Sequence, residues 1–494
     1  MAPPYFIRNL VPRREKRTEG RPLLEALGSL TWVQWGHFWS GWLAWTCDAI
    51  DFFSVSLSVS RLQTQFHKSN PSDITTAITL TLLFRSVGAV IFGIISDRYG
   101  RKWPLVVNLI LIAVLELGAG FVQTFKQFLA LRSLFGITMG GIWGLAASTA
   151  LENLPVELRG LASGVLQQGY AVGYLLAAVI NLTLVPETSS TWRSLFWCAA
   201  GLSAFSAFVR VLLPESEVFI RAKEAQRARG ETTTNKTRVF LHETGQMLKR
   251  HWLLCIYAVL LMTGFNFLSH GSQDLYPTYL KDAKLFSDHN ATVATIIGNC
   301  GAIAGGAIAG WVSQYIGRRL TIIIFVLLTG AFIPLWILPT SFSALAAGAF
   351  CIQFGVQGAW GVIPIQLAEI SPPAFRATFP GVAYQLGNMV SSASAQIEAT
   401  GANNLHTTIR NSAGQLTVVS DYATVQGILI GVVAAFILVV TIVGPENYGS
   451  HFEKHKTAFE EGGGSDELED DMREVGSRPT SVQVDEKRST SEPV

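Results

Sequence analysis

Charge is what this chain has least of. Only 15% of its 494 residues are Asp, Glu, Lys or Arg, where soluble domains carry about 25%. A chain with so few charges cannot clothe a water-soluble body of this size. Its 49% hydrophobic content and mean hydropathy of +0.34 place it in a membrane instead. A net charge of +2 provides no basic surface for a nucleic-acid partner. The five cysteines, Cys47, Cys198, Cys255, Cys300 and Cys351, are odd in number and lie in apolar stretches. That pattern reads as packed free thiols rather than disulfides or a metal cluster. The opening segment (1–31) is basic and lacks a cleavage-type signal, so the first apolar run reads as an uncleaved anchor.

Long apolar runs are what is there. Twelve of them, near 32–60, 73–97, 103–122, 128–150, 160–184, 193–213, 252–281, 291–314, 320–339, 342–367, 377–399 and 422–443, approach the length of a membrane-spanning helix, which is about 20 residues. With the N-terminus in the cytoplasm, the inner segments before the tail hold 21 Lys and Arg and the outer loops hold seven. This bias sets both termini inside.

The chain repeats itself. Glu152-x-x-Pro155-x-x-x-Arg159 returns as Glu369-x-x-Pro372-x-x-x-Arg376. Gly93-x-x-x-Asp97-Arg98-x-Gly100-Arg101-Lys102 returns as Gly310-x-x-x-Gln314-x-x-Gly317-Arg318-Arg319, and Gln168 returns as Gln385. The step from first copy to second is identical in all three. One offset shared by three features predicts six spans duplicated into twelve. The Gly-x-x-x-Asp-Arg-x-Gly-Arg-Lys loop between spans two and three, with Pro214-Glu215-Ser216 after span six, resembles the major facilitator superfamily. The resemblance implies an all-α membrane protein of twelve transmembrane helices in two six-helix bundles that rock about a midplane site.

The predicted layout is a cytoplasmic segment (1–31), a first bundle (32–213), a charged linker (214–251), a second bundle (252–450) and an acidic tail (451–494). The tail has 12 acids against six bases and too little apolar surface to fold. Its Ser, Thr and Lys offer modification sites through which trafficking machinery would act. Asn181-Leu-Thr183 and Asn290-Ala-Thr292 fit the glycosylation sequon in predicted outer loops.

At the inner ends, Asp97 places a negative charge near a helix end while Arg98, Arg101 and Lys102 hold the loop in the cytoplasm. This is either a topology determinant alone or, as the resemblance implies, a gate latch between the halves. The gating candidates are Asp97, Arg98, Arg101, Glu152, Arg159, Glu369 and Arg376. Gln314 stands where Asp97 stands in the first copy, so the second latch is expected to be weaker or absent.

Inside the membrane two places stand out. Arg85 lies mid-span, where a charge costs at least about 2.5–3.5 kcal/mol and must meet a partner or a water path. It reads either as a structural ion pair with Asp48 or Asp51, or as a fork for an anionic substrate. Its repeat mate is Ala302, which favours the second reading. In span seven, Asn266, His270, Gln273, Asp274 and Pro277 fall on one helical wall, within a sector of roughly 100°. His270 and Asp274 are one turn apart, and an imidazole beside a carboxylate exchanges protons near neutral pH. Ser269 adds the residue types of a hydrolase triad, but neighbours on one helix do not give nucleophile-to-base geometry. Metal binding would need more ligands than this face carries. Gln385 and Asn388 share a face of span eleven, as packing glue or as donors to a substrate. Gln167, Gln168, Tyr170 and Tyr174 in span five are weaker candidates of the same kind.

The pattern Asn-x-x-Ser-His-x-Ser-Gln-Asp-x-x-x-Thr, met in full from Asn266 to Thr278, resembles the fungal Jen family of carboxylate/proton symporters, in the sialate/proton group. Arg85 in span two and Gln385 with Asn388 in span eleven match further positions on which that family depends. The resemblance implies uptake of lactate, pyruvate or related short monocarboxylates with a proton at the plasma membrane, with no cofactor beyond the coupling proton and no enzymatic step. Arg85, Asn266, His270, Gln273, Gln385 and Asn388 would bind substrate, and His270 with Asp274 would handle the proton. A dicarboxylate or sialic-acid-like substrate is the alternative, and a nutrient sensor that binds without transport is a third reading.

Overall fold

The structure is a computed structural model, and it describes residues 22–216, 236–372, 378–410 and 415–447, with positions 219, 220, 224 and 375. The tail, most of the linker, the gate candidate Arg376 and the Asp97 side chain lie outside the described residues.

In chain order the first half comprises α1 (Leu23–Gly28), α2 (Trp32–Phe66), α3 (Pro71–Tyr99), α4 (Lys102–Ala119), α5 (Phe125–Met139), α6 (Ile142–Leu151), α7 (Arg159–Thr183) and α8 (Trp192–Leu212). After a linker helix α9 (Lys236–Arg250), the second half comprises α10 (Trp252–Gln273), α11 (Tyr276–Asp282), α12 (Asp288–Ile316), α13 (Arg318–Ile337), α14 (Phe342–Ile370), α15 (Thr378–Ser391), α16 (Ser394–Asn404) and α17 (Tyr422–Val443). Ten segments among the described residues are long and apolar enough to cross a membrane. α2 and the α15–α16 pair, which are more polar, complete the twelve. Apolar side chains such as Val114, Leu327, Val432 and Val439 remain exposed on the outer faces, where lipid replaces water.

Three spans that read as continuous helices are broken in their middles. Span four splits between Met139 and Ile142, span seven between Gln273 and Tyr276, and span eleven between Ser391 and Ser394. A break leaves backbone carbonyls without helical partners, and in a bilayer these must be met from inside the protein. Each break is met from the opposite half. Gln385 Nε2 donates to the Gly140 carbonyl (3.3 Å), the Tyr174 hydroxyl to the Gln273 carbonyl (3.1 Å), and the Thr79 hydroxyl to the Ser392 carbonyl (3.0 Å). Gly140 is required here, because a Cβ would collide with the Arg85 carbonyl of α3.

The ends of the two halves on the side of the chain termini, called inner as the side opposite the outer hairpin loop, are near copies. Gly100 and Gly317, one repeat apart, both take positive φ (101° and 94°), which glycine adopts without strain. Glu215 receives the backbone N–H groups of Arg101 and Lys102, both at 3.0 Å. Glu446 receives that of Arg318 at 2.6 Å. Each carboxylate thus sits at the positive end of a helix, α4 or α13. Burial pushes the Glu446 carboxyl up to about 7, against the pull of the Arg318 N–H and the Arg319 charge.

A two-stranded antiparallel hairpin, β1 (His406–Arg410) with β2 (Leu416–Ser420), pairs His406 with Ser420 and fills the last outer loop. Both sequons fall on helices rather than loops. Asn181 is buried in the last turn of α7, where its Oδ1 accepts from Arg61 (2.6 Å), and Asn290 is exposed in the first turn of α12.

Candidate functional site

The breaks in spans four, seven and eleven bring the polar residues of the two halves together. Arg85 is 0% exposed and pairs through Nη2 with Asp48 Oδ2 of α2, whereas Asp51 is bonded to Ser203 of α8 (2.9 Å). Of the two partners considered for Arg85, the fold selects Asp48. Arg85 Nε and Nη1 and Asp48 Oδ1 carry no hydrogen bond among the described atoms. The guanidinium lies 5.8 Å from the Phe52 ring centre, and the His270 ring lies 5.5 Å from the same ring. Phe52 therefore contacts both the cation of the first half and the imidazole of the second. The Tyr384 hydroxyl faces both Arg85 and Asn388. Tyr384 itself stacks on Trp143 at 4.7 Å and meets Trp45 and Trp360 edge-on, which closes the inner side with aromatic rings from both halves.

His270 has an acceptor at each nitrogen. Nδ1 lies 3.0 Å from Asp274 Oδ2, and Nε2 lies 3.1 Å from Asn388 Oδ1. Asn388 Nδ2 donates to Gln385 Oε1 (2.7 Å), and Gln385 Nε2 donates to the Gly140 carbonyl. Amide orientation can be assigned only from such a network, and here a backbone carbonyl anchors it. Gly140 O can only accept, so Gln385 must present its NH2, and its oxygen then faces Asn388. Asn388 in turn must present its oxygen to His270, so Nε2 carries a proton. Nδ1 and the Asp274 carboxylate form the other contact of the ring, and the tautomer is set from the opposite half of the molecule through the Gly140 carbonyl.

The wall of span seven divides its tasks. Asn266 Nδ2 bonds the Tyr384 carbonyl (3.2 Å) and ties α10 to α15. Gln273 turns away from Arg85, donating to Gln353 Oε1 (2.8 Å) and accepting from Ser269 (3.0 Å). It lines a cavity of about 10 Å³ with Asn299, Trp336 and Gln353, room for about one water. In this structure Asn266 is thus held by the α15 backbone and Gln273 by the Gln353 side chain of α14. Gln168, the repeat mate of Gln385, donates across the halves to the Ile303 carbonyl (2.6 Å). Among the described residues no group of three or more His, Cys, Asp or Glu is gathered as a metal would need.

Both mouths are closed by contacts between the halves. On the outer side Gln396 Nε2 donates to the Ser72 carbonyl (2.8 Å) and Lys281 Nζ to Ser60 Oγ (2.9 Å). On the inner side Ser163 Oγ donates to the Gly361 carbonyl (2.9 Å), and Gln314 Nε2 to the Glu157 carbonyl (3.3 Å). With Arg85, His270, Asp274 and Asn388 all buried, the site is occluded.

Each inner end also carries an ion pair. Arg101 Nη2 pairs with Glu152 at 3.1 Å, and Arg318 pairs with Glu369 through Nε (3.1 Å) and Nη2 (3.0 Å). These pairs are repeat mates, and each lies within its own half. The second is bidentate and buried. The acid comes from Glu369, and Gln314 adds its contact across the halves. Arg98 lies over the Tyr99 ring (5.3 Å), and Arg159 Nε donates to the Leu154 carbonyl (3.1 Å). Three inner-end residues were not among the gating candidates: Glu215, Arg318 and Glu446. The recurrence of Pro214-Glu215 as Pro445-Glu446 carries the signal, but at a longer offset than the other repeats, since the hairpin lengthens the second half.

The comparisons agree with this architecture. The family described as Sugar (and other) transporter matches residues 23–459. A carboxylic acid transporter protein homolog of Saccharomyces cerevisiae is 36% identical over 434 residues, 85% of this chain and 70% of the relative. A probable 4-methylmuconolactone transporter of Cupriavidus pinatubonensis is 26% identical, covering 80% of this chain and 89% of that one. The sialic acid transporter NanX of Escherichia coli is 26% identical, covering 70% and 82%. The major facilitator proton:xylose symporter XylE superposes with a TM-score of 0.67 over 85% of this chain and 98% of its own, at 17% identity, a likeness of fold alone. The chain belongs to the Sugar (and other) transporter family, and it is a multi-pass transporter of the major facilitator fold, not an enzyme.

Proposed function

We propose that this transporter carries short monocarboxylates such as lactate and pyruvate into the cell across the plasma membrane, each with one proton, and with both chain termini in the cytoplasm. The observation that carries the reading is the buried line from Arg85 past Phe52 to His270, Asn388 and Asp274. The carboxylic acid transporter homolog of yeast supports organic acids as the substrate class.

The substrate carboxylate would dock on the Arg85 donors at Nε and Nη1, with Tyr384 and Asn388 as neighbouring polar groups. Drawing Asn388 towards substrate would release His270 Nε2 and so tie anion binding to the proton held with Asp274. Importing an anion against an inside-negative potential costs about 2.3 kcal/mol per 100 mV, and a co-transported proton removes that cost. One carboxylate suits the site better than two. The other buried mid-span cation, Arg132, is engaged by Glu116 (2.6 Å) within the first half.

The test is uptake of labelled lactate into vesicles holding the purified protein. Lactate should drive proton uptake, net uptake should rise as external pH falls, and a protonophore should abolish accumulation. Uptake indifferent to both external pH and protonophore would reject proton coupling. Stronger competition by malate or sialic acid than by pyruvate would reject the substrate class.

A further inference from the structure

One buried acid takes no part in the site described so far. Glu398 of α16 is 0% exposed and lies towards the outer side of Asp274. Its Oε2 accepts from Gln426 Nε2 of α17 (2.7 Å) and its Oε1 from Ser394 Oγ (3.4 Å). No ion pair among the described residues reaches it. Packing alone does not explain a carboxylate here, because a buried acid without a cation is costly when ionised and an amide would fill the same space. Gln426 Oε1 is buried without a partner, so the Gln426 amide, by turning, offers an acceptor to a protonated Glu398.

The neighbours of Glu398 give it a direction. Asp274 of α10 and Tyr422 at the start of α17 are near enough to bear on it electrostatically. Tyr422 is buried, its hydroxyl has no partner, and it is also within electrostatic reach of Asp282, which is exposed at the outer end of α11. From α3, the Ser72 carbonyl and the Thr76 hydroxyl meet the adjoining Gln396, and α3 presents no recorded charged group to Glu398. Ser394 packs against Gly271, next to His270, where a Cβ would lie 3.6 Å from Ser394 Oγ. By helix position the groups run from Asp282 at the end of α11 and Tyr422 at the start of α17, through Glu398 within α16, to Asp274 and His270 at the end of α10.

We propose that Glu398 is a second proton-carrying carboxyl, passing protons between the outer face and the His270–Asp274 pair. The inference rests on the symport reading above. In the transfer the Glu398 O–H bond breaks as one forms on Asp274. Glu398, now ionised, regains a proton from water at the outer face through the Tyr422 hydroxyl. Glu398 acts through Asp274 and does not touch substrate, so its role is visible in proton movement rather than in anion binding.

The experiment compares wild type, E398Q and E398D in reconstituted vesicles. Three readouts are taken: exchange of labelled lactate at equal concentrations on both sides, lactate-driven proton uptake, and the pH profile of net uptake. E398Q is expected to hold exchange within twofold of wild type, lose at least tenfold in proton-driven accumulation, and flatten the pH profile. E398D is expected to recover part of the accumulation. The wild-type infrared difference spectrum between acid and alkaline pH should contain a protonated-carboxyl band that E398Q lacks, and its absence from wild type overturns the proposal. Accumulation by E398Q equal to wild type overturns the relay and leaves symport standing, and so does a parallel fall in exchange and accumulation. Lactate that drives no proton uptake through wild type overturns symport itself, and the relay with it.

Discussion

The inner ends of the two bundles are near copies, whereas their middles are not. At the inner ends, Arg101–Glu152 is repeated by Arg318–Glu369, the Glu215 cap by the Glu446 cap, and Gly100 by Gly317. In the middle, Arg85 faces the repeat position of Ala302, while Asn266, His270, Asp274 and Asn388 stand where the first half has Ala49, Phe53, Leu57 and Ala171. Helix ends pose the same problem in both halves, since orphan N–H groups and a tight turn need the same caps whatever is transported. A bound ligand breaks that equivalence. One anion and one proton need one cation and one acid–base pair, so the duplicated middles have taken separate tasks.

The largest expected effect breaks that division directly. Arg85→Lys keeps the charge but loses the planar fork, and a charged hydrogen bond is worth about 1.5–3 kcal/mol. Lactate uptake should fall by about 10- to 100-fold in kcat/KM. Adding Ala302→Arg in the same chain should not restore it, because the repeat position has neither Asp48 nor Phe52 beside it. Recovery in the double variant, measured as initial uptake rate, would show that the halves are interchangeable.

Gln168 and Gln385 sharpen the comparison, since they are repeat mates that both donate across to the opposite half. Only Gln385 orients Asn388 and, through it, His270. Gln385→Leu should lower net uptake by about tenfold, the loss of roughly one hydrogen bond's worth of organisation. Gln168→Leu should change it by less than about twofold on the same scale. Equal losses in vesicle uptake would mean that Gln385 serves only as glue between the bundles.

The smallest effect on uptake is expected at the latches, which read out in stability rather than transport. Glu369→Gln leaves Arg318 without its buried bidentate partner and should cost about 3 kcal/mol. Glu152→Gln, in the more accessible pair, should cost about 1 kcal/mol or less. Thermal unfolding of the two variants should rank them in that order, and the reverse order would mean that the first latch carries more of the inner closure.

The duplicated architecture was legible in the sequence. Twelve apolar runs and one shared repeat offset led to the two bundles, and the polar groups of spans two, seven and eleven pointed to the mid-membrane line. The helix breaks were not legible. Gly140-Gly141 reads as close packing inside an apolar run, and Pro277 marks the break of span seven only after Asp274 is seen to cap its first segment. The outer hairpin had a signal in the β-branched runs around 407–409 and 417–419, but the short outer loops of the first half gave no precedent for it. Asn266 and Gln273 share a wall with His270, yet periodicity gives the face of a helix and not the neighbour it meets. Tyr384, now central, resembled any other aromatic residue of a span.

By itself the sequence determined where the chain crosses the bilayer, because a lipid core forces each backbone to satisfy its own hydrogen bonds and long apolar runs can do so only as helices. It also determined that the chain is a duplication, and that Arg85, His270 and Asp274 needed partners inside the protein. Tertiary structure alone decided which partners those are. Asp48 rather than Asp51 takes Arg85, and Phe52 contacts both cation and imidazole. Through Gln385 and Asn388, a carbonyl freed by a broken helix in the first half sets the tautomer of a histidine in the second. Charges and amides act over a few ångströms, and only the packing of distant helices brings them that close.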